Sequence, residues 1–292
     1  MTSSPRIPTA KISAVVSDVD GTLVTDDKIL TGRTQAAVAD LHAHGIVFAI
    51  ISSRPPRGLL AVRDRLKVTT PMAGFNGGVI AAADLSVLTE HLLSLQVARH
   101  AIKILDAHGV RSWVFAGQNW LARIPEGPYI AREECTIGFQ PTIVAEFGST
   151  LGGAAKIVGV SADFELLARC EHDVRGTLAD QASVALSQPY YLDITHPQAN
   201  KGVALSELAR LLAIPLAEIA VIGDGGNDVA MFERSGLSIA MGNASPEVQR
   251  AADFVTGSNR DDGFAAAIER FILGDDRSTA PVGIVRAGAR TW

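Results

Sequence analysis

The 292-residue chain has only two cysteines, Cys135 and Cys170. They form no disulfide framework and no zinc-type spacing, which fits a reducing, cytoplasmic setting. No apolar stretch is long enough to span a bilayer, so no membrane helix is expected. Met1–Ala10 has prolines but no apolar core, so no secretory leader is expected there. There is no basic run and no RNA-type aromatic motif, and the formal net charge is -5. Nucleic acid and anionic membrane surfaces are therefore not expected as partners. Walker-type phosphate loops and Gly-x-Ser-x-Gly elbows are missing too. None of the seven histidines sits in a metal-type or nucleophile-type arrangement. No internal repeat is visible.

What is present can bury a sizeable core: 47% of the residues are hydrophobic and 20% charged. The length suits two domains. The first and last thirds alternate strand and helix. Ala14–Ser17, Ile46–Ile51, Ile219–Ile222 and Leu237–Ala240 read as buried strands. Thr31–His44, Arg57–Leu66, Gly202–Ala213, Asp228–Arg234 and Gly263–Leu273 read as helices. Such alternation predicts an α/β domain with a largely parallel sheet covered by helices. The middle differs. A helix over Leu92–His108, a hairpin about Gly117-Gln118-Asn119 and further strands predict an inserted α+β domain. The division is 10–85 and 192–274 for the discontinuous core and 86–191 for the insert. The polar 275–292 tail is expected to be disordered.

Asp18-Val19-Asp20-Gly21-Thr22-Leu23 follows the first strand. Two carboxylates one residue apart at a strand end lie where open α/β sheets bind ligands. Held that close, they cost energy unless a cation or a shared proton offsets them. Three more stretches fall at strand ends or helix starts. Ser52-Ser53-Arg54 offers hydroxyls and backbone N–H groups that suit an anion, or simply a turn with a serine cap. Lys201 opens a helix, where the dipole disfavours a cation unless an anion faces it; the alternative is an ordinary solvated lysine. Gly223-Asp224-Gly225-Gly226-Asn227-Asp228 puts carboxylates and an amide in a glycine-rich turn. Asp224 suits a hard cation there, and Asp228 could merely cap the next helix. Phe75-Asn76-Gly77-Gly78 reads as a turn, and turn chemistry alone explains it.

Taken in order, these stretches resemble the haloacid dehalogenase superfamily of phosphohydrolases. Asp18–Leu23 matches its Asp-x-Asp-Gly-Thr-Leu signature, Ser52 its hydroxyl, Lys201 its lysine, and Gly223–Asp228 its Gly-Asp-x-x-Asn-Asp. The insert between the second and third signatures is similar to the type IIB cap of the Cof subfamily, as are Asn76-Gly77, Met241-Gly242-Asn243-Ala244 and Asp262-Gly263. Relatives often read Thr-Gly-Arg where this chain has Ser52-Ser53-Arg54, which changes the loop's shape but keeps the hydroxyl.

The resemblance implies a Rossmann-like core with a cap, and a Mg²⁺-dependent phosphatase acting on small phosphorylated metabolites, sugar phosphates above all. It implies Asp18 as nucleophile forming an aspartyl-phosphate and Asp20 as acid and base. Mg²⁺ would be held by the Asp18 carboxylate, the Asp20 backbone carbonyl and Asp224. Ser52, Ser53, Lys201 and Asn227 would hold phosphate, Asp228 would order Lys201 or a metal-bound water, and Arg54 and Asn76 could touch substrate. Trp113, Trp120, Arg123 and Arg132 of the insert could line a pocket, or equally be core and surface residues. A phosphomannomutase-like phosphotransferase and a non-catalytic phosphate-binding protein are the alternatives. A monomer or weak homodimer is expected.

Overall fold

The computed structural model describes residues 11–274. The expectations for the first ten residues and for the tail after 274 lie outside that range. Within it the chain divides into two compact units, 11–52, 62–73 and 201–274 in one, 53–61 and 74–200 in the other.

Six strands of the first unit run parallel in the order Phe254–Val255, Leu237–Ala240, Ile219–Gly223, Ala14–Ser17, Val47–Ile51, Met72–Gly74. The central ones are buried along their whole length, which explains their unbroken apolar sequence. Register lines up the strand ends: Ser17 pairs with both Ile222 and Ile50. The residues that follow, Asp18, Gly223-Asp224 and Ile51-Ser52, therefore emerge along one edge of the sheet. Thr31 caps the helix Gly32–Ala43, its hydroxyl accepting from the Thr34 N–H at 3.1 Å. The expected helix after Gly263 runs as α-helix only to Ala267 and continues as a π-turn over Ile268–Ile272.

The second unit holds a six-stranded sheet in the order Ser183–Gln188, Tyr191–Thr195, Ala154–Val160, Arg111–Ala116, Asn119–Ala122, Thr142–Ile143. All neighbours are antiparallel except the last pair. Gly117 and Gln118 close the predicted hairpin between the paired Ala116 and Asn119, with Gly117 left-handed at φ +56°. Helices Leu95–Ala107 and Phe164–Leu178 contribute to one apolar cluster with the sheet. A second cluster joins Trp113, Phe115 and Trp120 to Ile130 and Ile137 of a helix, Ile130–Ile137, that the sequence pattern did not announce. That helix is two turns long and starts from a left-handed Tyr129 with no side-chain cap, so no start signal marks it.

This unit reaches further along the chain than the expected 86–191. Arg57 lies over the Phe139 ring at 4.3 Å, and Phe75 packs on Phe115 at 5.5 Å. These contacts bring 53–61 and 74–85 into the insert. Trp113 and Trp120 are core, edge to face at 4.9 Å. Arg123 pairs with Asp106 at 2.7 Å, and Arg132 sits over the Tyr190 ring at 5.2 Å. Among the described residues no helix is long and apolar enough to cross a membrane.

Candidate active site

Asp18 leaves the sheet directly after Ser17, with its N–H still donating to the Ile222 carbonyl at 3.0 Å. Its side chain is buried. Lys201, the first residue of the helix Lys201–Leu212, is only 1% exposed and reaches two carboxylates at once. Its Nζ donates to Asp18 Oδ1 and to Asp228 Oδ1, each at 2.5 Å. The solvated-lysine reading is thereby corrected: the anions in front of this helix start are carboxylates of the same chain. Asp228 does not cap the helix after it. Its other oxygen turns back and accepts from the backbone N–H groups of Asp224 and Gly225 at 2.8 Å, which fixes the glycine-rich turn. Gly223 is required there, because a Cβ would lie 2.4 Å from the Asp228 carboxyl carbon.

Asp18, Asp224 and Asp228 bring carboxylate oxygens within 4.8 Å of one another. Burial is the main reason the Asp18 carboxyl is pushed well above the ordinary range; Lys201 opposes this, while Asp228 and Asp224 add to it. Burial likewise lifts Asp224 to about 6, helped by Asp228 and opposed by the hydrogen bond from Thr22. Lys201 behaves in the opposite sense. Burial opposes its charge, but Asp18 and Asp228 more than offset that and raise its pKa. Three acids with one ammonium among them leave surplus negative charge in a poorly solvated place. Hard oxygen donors carrying that charge fit a divalent cation such as Mg²⁺.

Asp20 does not join this cluster through its side chain. Its carboxylate accepts from Lys28 Nζ at 2.7 Å. Ser52 is fully buried, its N–H donating to the Ala73 carbonyl at 2.9 Å. It does not cap a helix; the next helical turn starts at Pro56 with Pro55 as its cap. Asn227 is exposed on the turn ahead of Asp228. Ser53, Arg54 and Asn76 belong to the second unit, where Arg54 is buried and its carbonyl accepts from the Phe75 N–H at 2.9 Å. Asn76 is left-handed at φ +58°, a conformation asparagine tolerates.

Three side chains, those of Thr22, Asn243 and Lys28, had no role assigned from the sequence. Thr22 donates its hydroxyl to Asp224 Oδ1 at 3.0 Å. Asn243 donates to Asp224 Oδ2 at 3.3 Å and to the Gly21 carbonyl at 3.0 Å. Gly21 itself is left-handed at φ +81°, and a Cβ there would lie 2.2 Å from Asp224 Oδ2. Thr22 and Asn243 stood in recognised stretches, so the signal existed without a partner. Lys28 carried none beyond its charge.

The sequence pattern of haloacid dehalogenase-like hydrolases matches residues 15–268. The chain belongs to that family. The HMP-PP phosphatase of Cronobacter sakazakii is 28% identical over 231 residues, 79% of this chain and 84% of that one. A crystal structure of a haloacid dehalogenase-like hydrolase from Bacteroides thetaiotaomicron superposes with a TM-score of 0.83 at 27% identity, covering 89% of this chain and 99% of the other. The subclass IIB sugar phosphatase BT4131 shares the fold, with a TM-score of 0.77 at 22% identity over 89% of this chain and 98% of its own. Family and relatives together support phosphatase activity, and the resemblance read from the four signatures holds.

Proposed function

We propose that this chain is a Mg²⁺-dependent phosphohydrolase of small phosphate monoesters, sugar phosphates foremost, working through an aspartyl-phosphate on Asp18. The observation that carries the reading is Lys201 buried between Asp18 and Asp228, with Asp224 beside them. An Asp18 oxygen attacks phosphorus as the bond from phosphorus to the ester oxygen breaks. Asp20 gives its proton to the departing alkoxide. Water then attacks phosphorus, its proton passes to Asp20, and the bond from phosphorus to Asp18 breaks, releasing inorganic phosphate.

Asp18, the Asp20 backbone carbonyl and Asp224 would hold Mg²⁺. The ion, when bound, offsets the repulsion between an anionic nucleophile and an anionic phosphate. Lys201, Ser52, Ser53 and Asn227 are assigned to the phosphoryl oxygens, where fixed donors act on developing charge. Asp228 orients Lys201 and the Asp224 turn. Arg54 and Asn76 are candidates for substrate contact, and the inserted unit is read as the cap that selects the leaving group. The relatives' names span HMP-PP and sugars, so leaving-group choice varies within this family.

The test is phosphate release from a panel of sugar phosphates, nucleotides, phosphoglycolate and para-nitrophenyl phosphate, with Mg²⁺ and with EDTA. Metal-dependent release with no added acceptor is expected. Asp18→Asn should lower it by roughly 10⁴-fold or more while the protein stays folded. Transfer of the phosphoryl group to an added sugar acceptor, with no release of inorganic phosphate, would assign a phosphotransferase, and appreciable activity in Asp18→Asn would overturn the nucleophile.

A further inference from the structure

Lys28 lies eight residues past Asp20, in no signature stretch, yet its Nζ is 2.7 Å from Asp20 Oδ1. Both side chains are partly exposed, 32% for Lys28 and 25% for Asp20. A pair that open is ordinarily worth little, because two flexible chains must be ordered in water. Here the ordering is done by the backbone. Lys28 sits in a tight turn in which its N–H donates to the Thr25 carbonyl at 2.9 Å and the Thr25 N–H donates to the Ile29 carbonyl at 3.0 Å. The residue is left-handed at φ +62°, which costs a lysine about 1 kcal/mol or more. The turn is pinned from outside. Asn259 donates to the Val24 carbonyl at 3.0 Å and to Asp26 Oδ1 at 3.2 Å, and Arg260 Nε reaches Asp26 Oδ2 at 2.7 Å. A strained, externally fixed turn thus aims one ammonium at one carboxylate.

We propose that Lys28 is a positioning residue for Asp20, fixing the rotation of its carboxylate for proton transfer to and from the substrate oxygen. This rests on the acid–base role of Asp20 argued above. In the forward half-reaction the proton leaves Asp20 for the ester oxygen as its bond to phosphorus breaks. In the second half the proton returns from water. Both transfers need the carboxylate in one orientation, and a pinned cation supplies it at one of the two oxygens. An alkyl leaving group needs that proton, whereas para-nitrophenolate departs without it.

The test measures kcat/KM, which reports the steps through departure of the leaving group, for a hexose 6-phosphate and for para-nitrophenyl phosphate. The full-length protein is used with Mg²⁺, as wild type, Lys28→Met, Lys28→Arg, Asp20→Ala and the Asp20→Ala/Lys28→Met double variant. Circular dichroism checks each variant for folding. Lys28→Met should lower kcat/KM for the hexose phosphate about tenfold or more and change that for para-nitrophenyl phosphate by less than about threefold. Lys28→Arg should recover most of the loss, and Lys28→Met should cost nothing further in the Asp20→Ala background. Equal losses on both substrates, additive losses in the double variant, or no loss at all would overturn the proposal. Unchanged hexose phosphate turnover in Asp20→Ala would instead remove the acid–base reading, and the proposal with it.

Discussion

Lys201 shows how much one side chain can decide. It reaches two buried carboxylates, and burial already disfavours the ionised form of one of them, Asp18. Removing one member of a buried charged cluster leaves the others uncompensated, at a cost of about 3–5 kcal/mol. Lys201→Met should therefore lower unfolding free energy in urea by about that much at neutral pH, and phosphate release should vanish with it. An unfolding midpoint equal to wild type would mean that the two aspartates do not depend on it. At this scale the positions that form the cluster were largely legible. Asp18, Asp224, Asp228 and Lys201 stand next to glycines and strand ends, where local sequence announces an exposed edge. Thr22 and Asn243 were not assigned, because hydrogen-bonding partners 202 and 19 residues away in sequence leave no local pattern, and Lys28 was not, because its eight-residue separation from Asp20 spans an irregular turn with no period.

The helix that begins at Lys201 is seated by its second residue. A Cβ on Gly202 would lie 2.5 Å from the Ala230 carbonyl oxygen, a backbone atom that cannot swing aside. Gly202→Ala should therefore push the helix start away from the neighbouring Val229–Phe232 helix, destabilise the protein by about 1–3 kcal/mol, and carry Lys201 off its two carboxylates. Thermal melting and kcat measured together check this; full activity with a lowered melting temperature would show that Lys201 holds its place independently of the helix. Elements with unbroken apolar runs, such as Ala14–Ser17 and Ile219–Gly223, were readable because full burial suppresses alternation. The strand Val87–Glu90 was not, since it is mostly exposed and its residues show no period. Ile130–Ile137 was not either, because it is too short for its periodicity to register.

For the whole molecule, the carboxyl cluster ties folding to pH and, by the function proposed above, to a divalent cation. A carboxyl whose pKa is raised in the folded state contributes stability below its unfolded value, and that contribution is lost as pH rises through the folded value. Asp18 and Asp224 are both raised, Asp224 to about 6, so the metal-free protein should lose stability from this source between about pH 4 and 7. A divalent cation needs the ionised forms. Saturating Mg²⁺ should raise the melting temperature by about 5 °C or more at pH 7.5 and by clearly less at pH 5. Equal shifts at both values would dissociate metal binding from these two groups. The two-domain organisation was visible in the change from alternating to α+β pattern, but its edges were not. Arg57 and Phe75 are assigned by packing on Phe139 and Phe115, which sequence proximity does not reveal.

The bracing of Asp224 reaches beyond the four signatures shared across the superfamily. The last of them ends at Asp228. Asn243 holds the Asp224 carboxylate and accepts from the Asn259 N–H at 2.9 Å, and Asn259 in turn fastens the turn that carries Lys28. A fragment ending at Ala240 would keep every residue proposed for catalysis and every strand but the last of the parallel sheet. It would still lose the clasp between the Asp224 carboxylate and the Val24–Ile29 turn. A gene truncated there would keep all four signatures, yet Asp224, the proposed metal ligand, would lose its contact with Asn243 and keep that with Thr22.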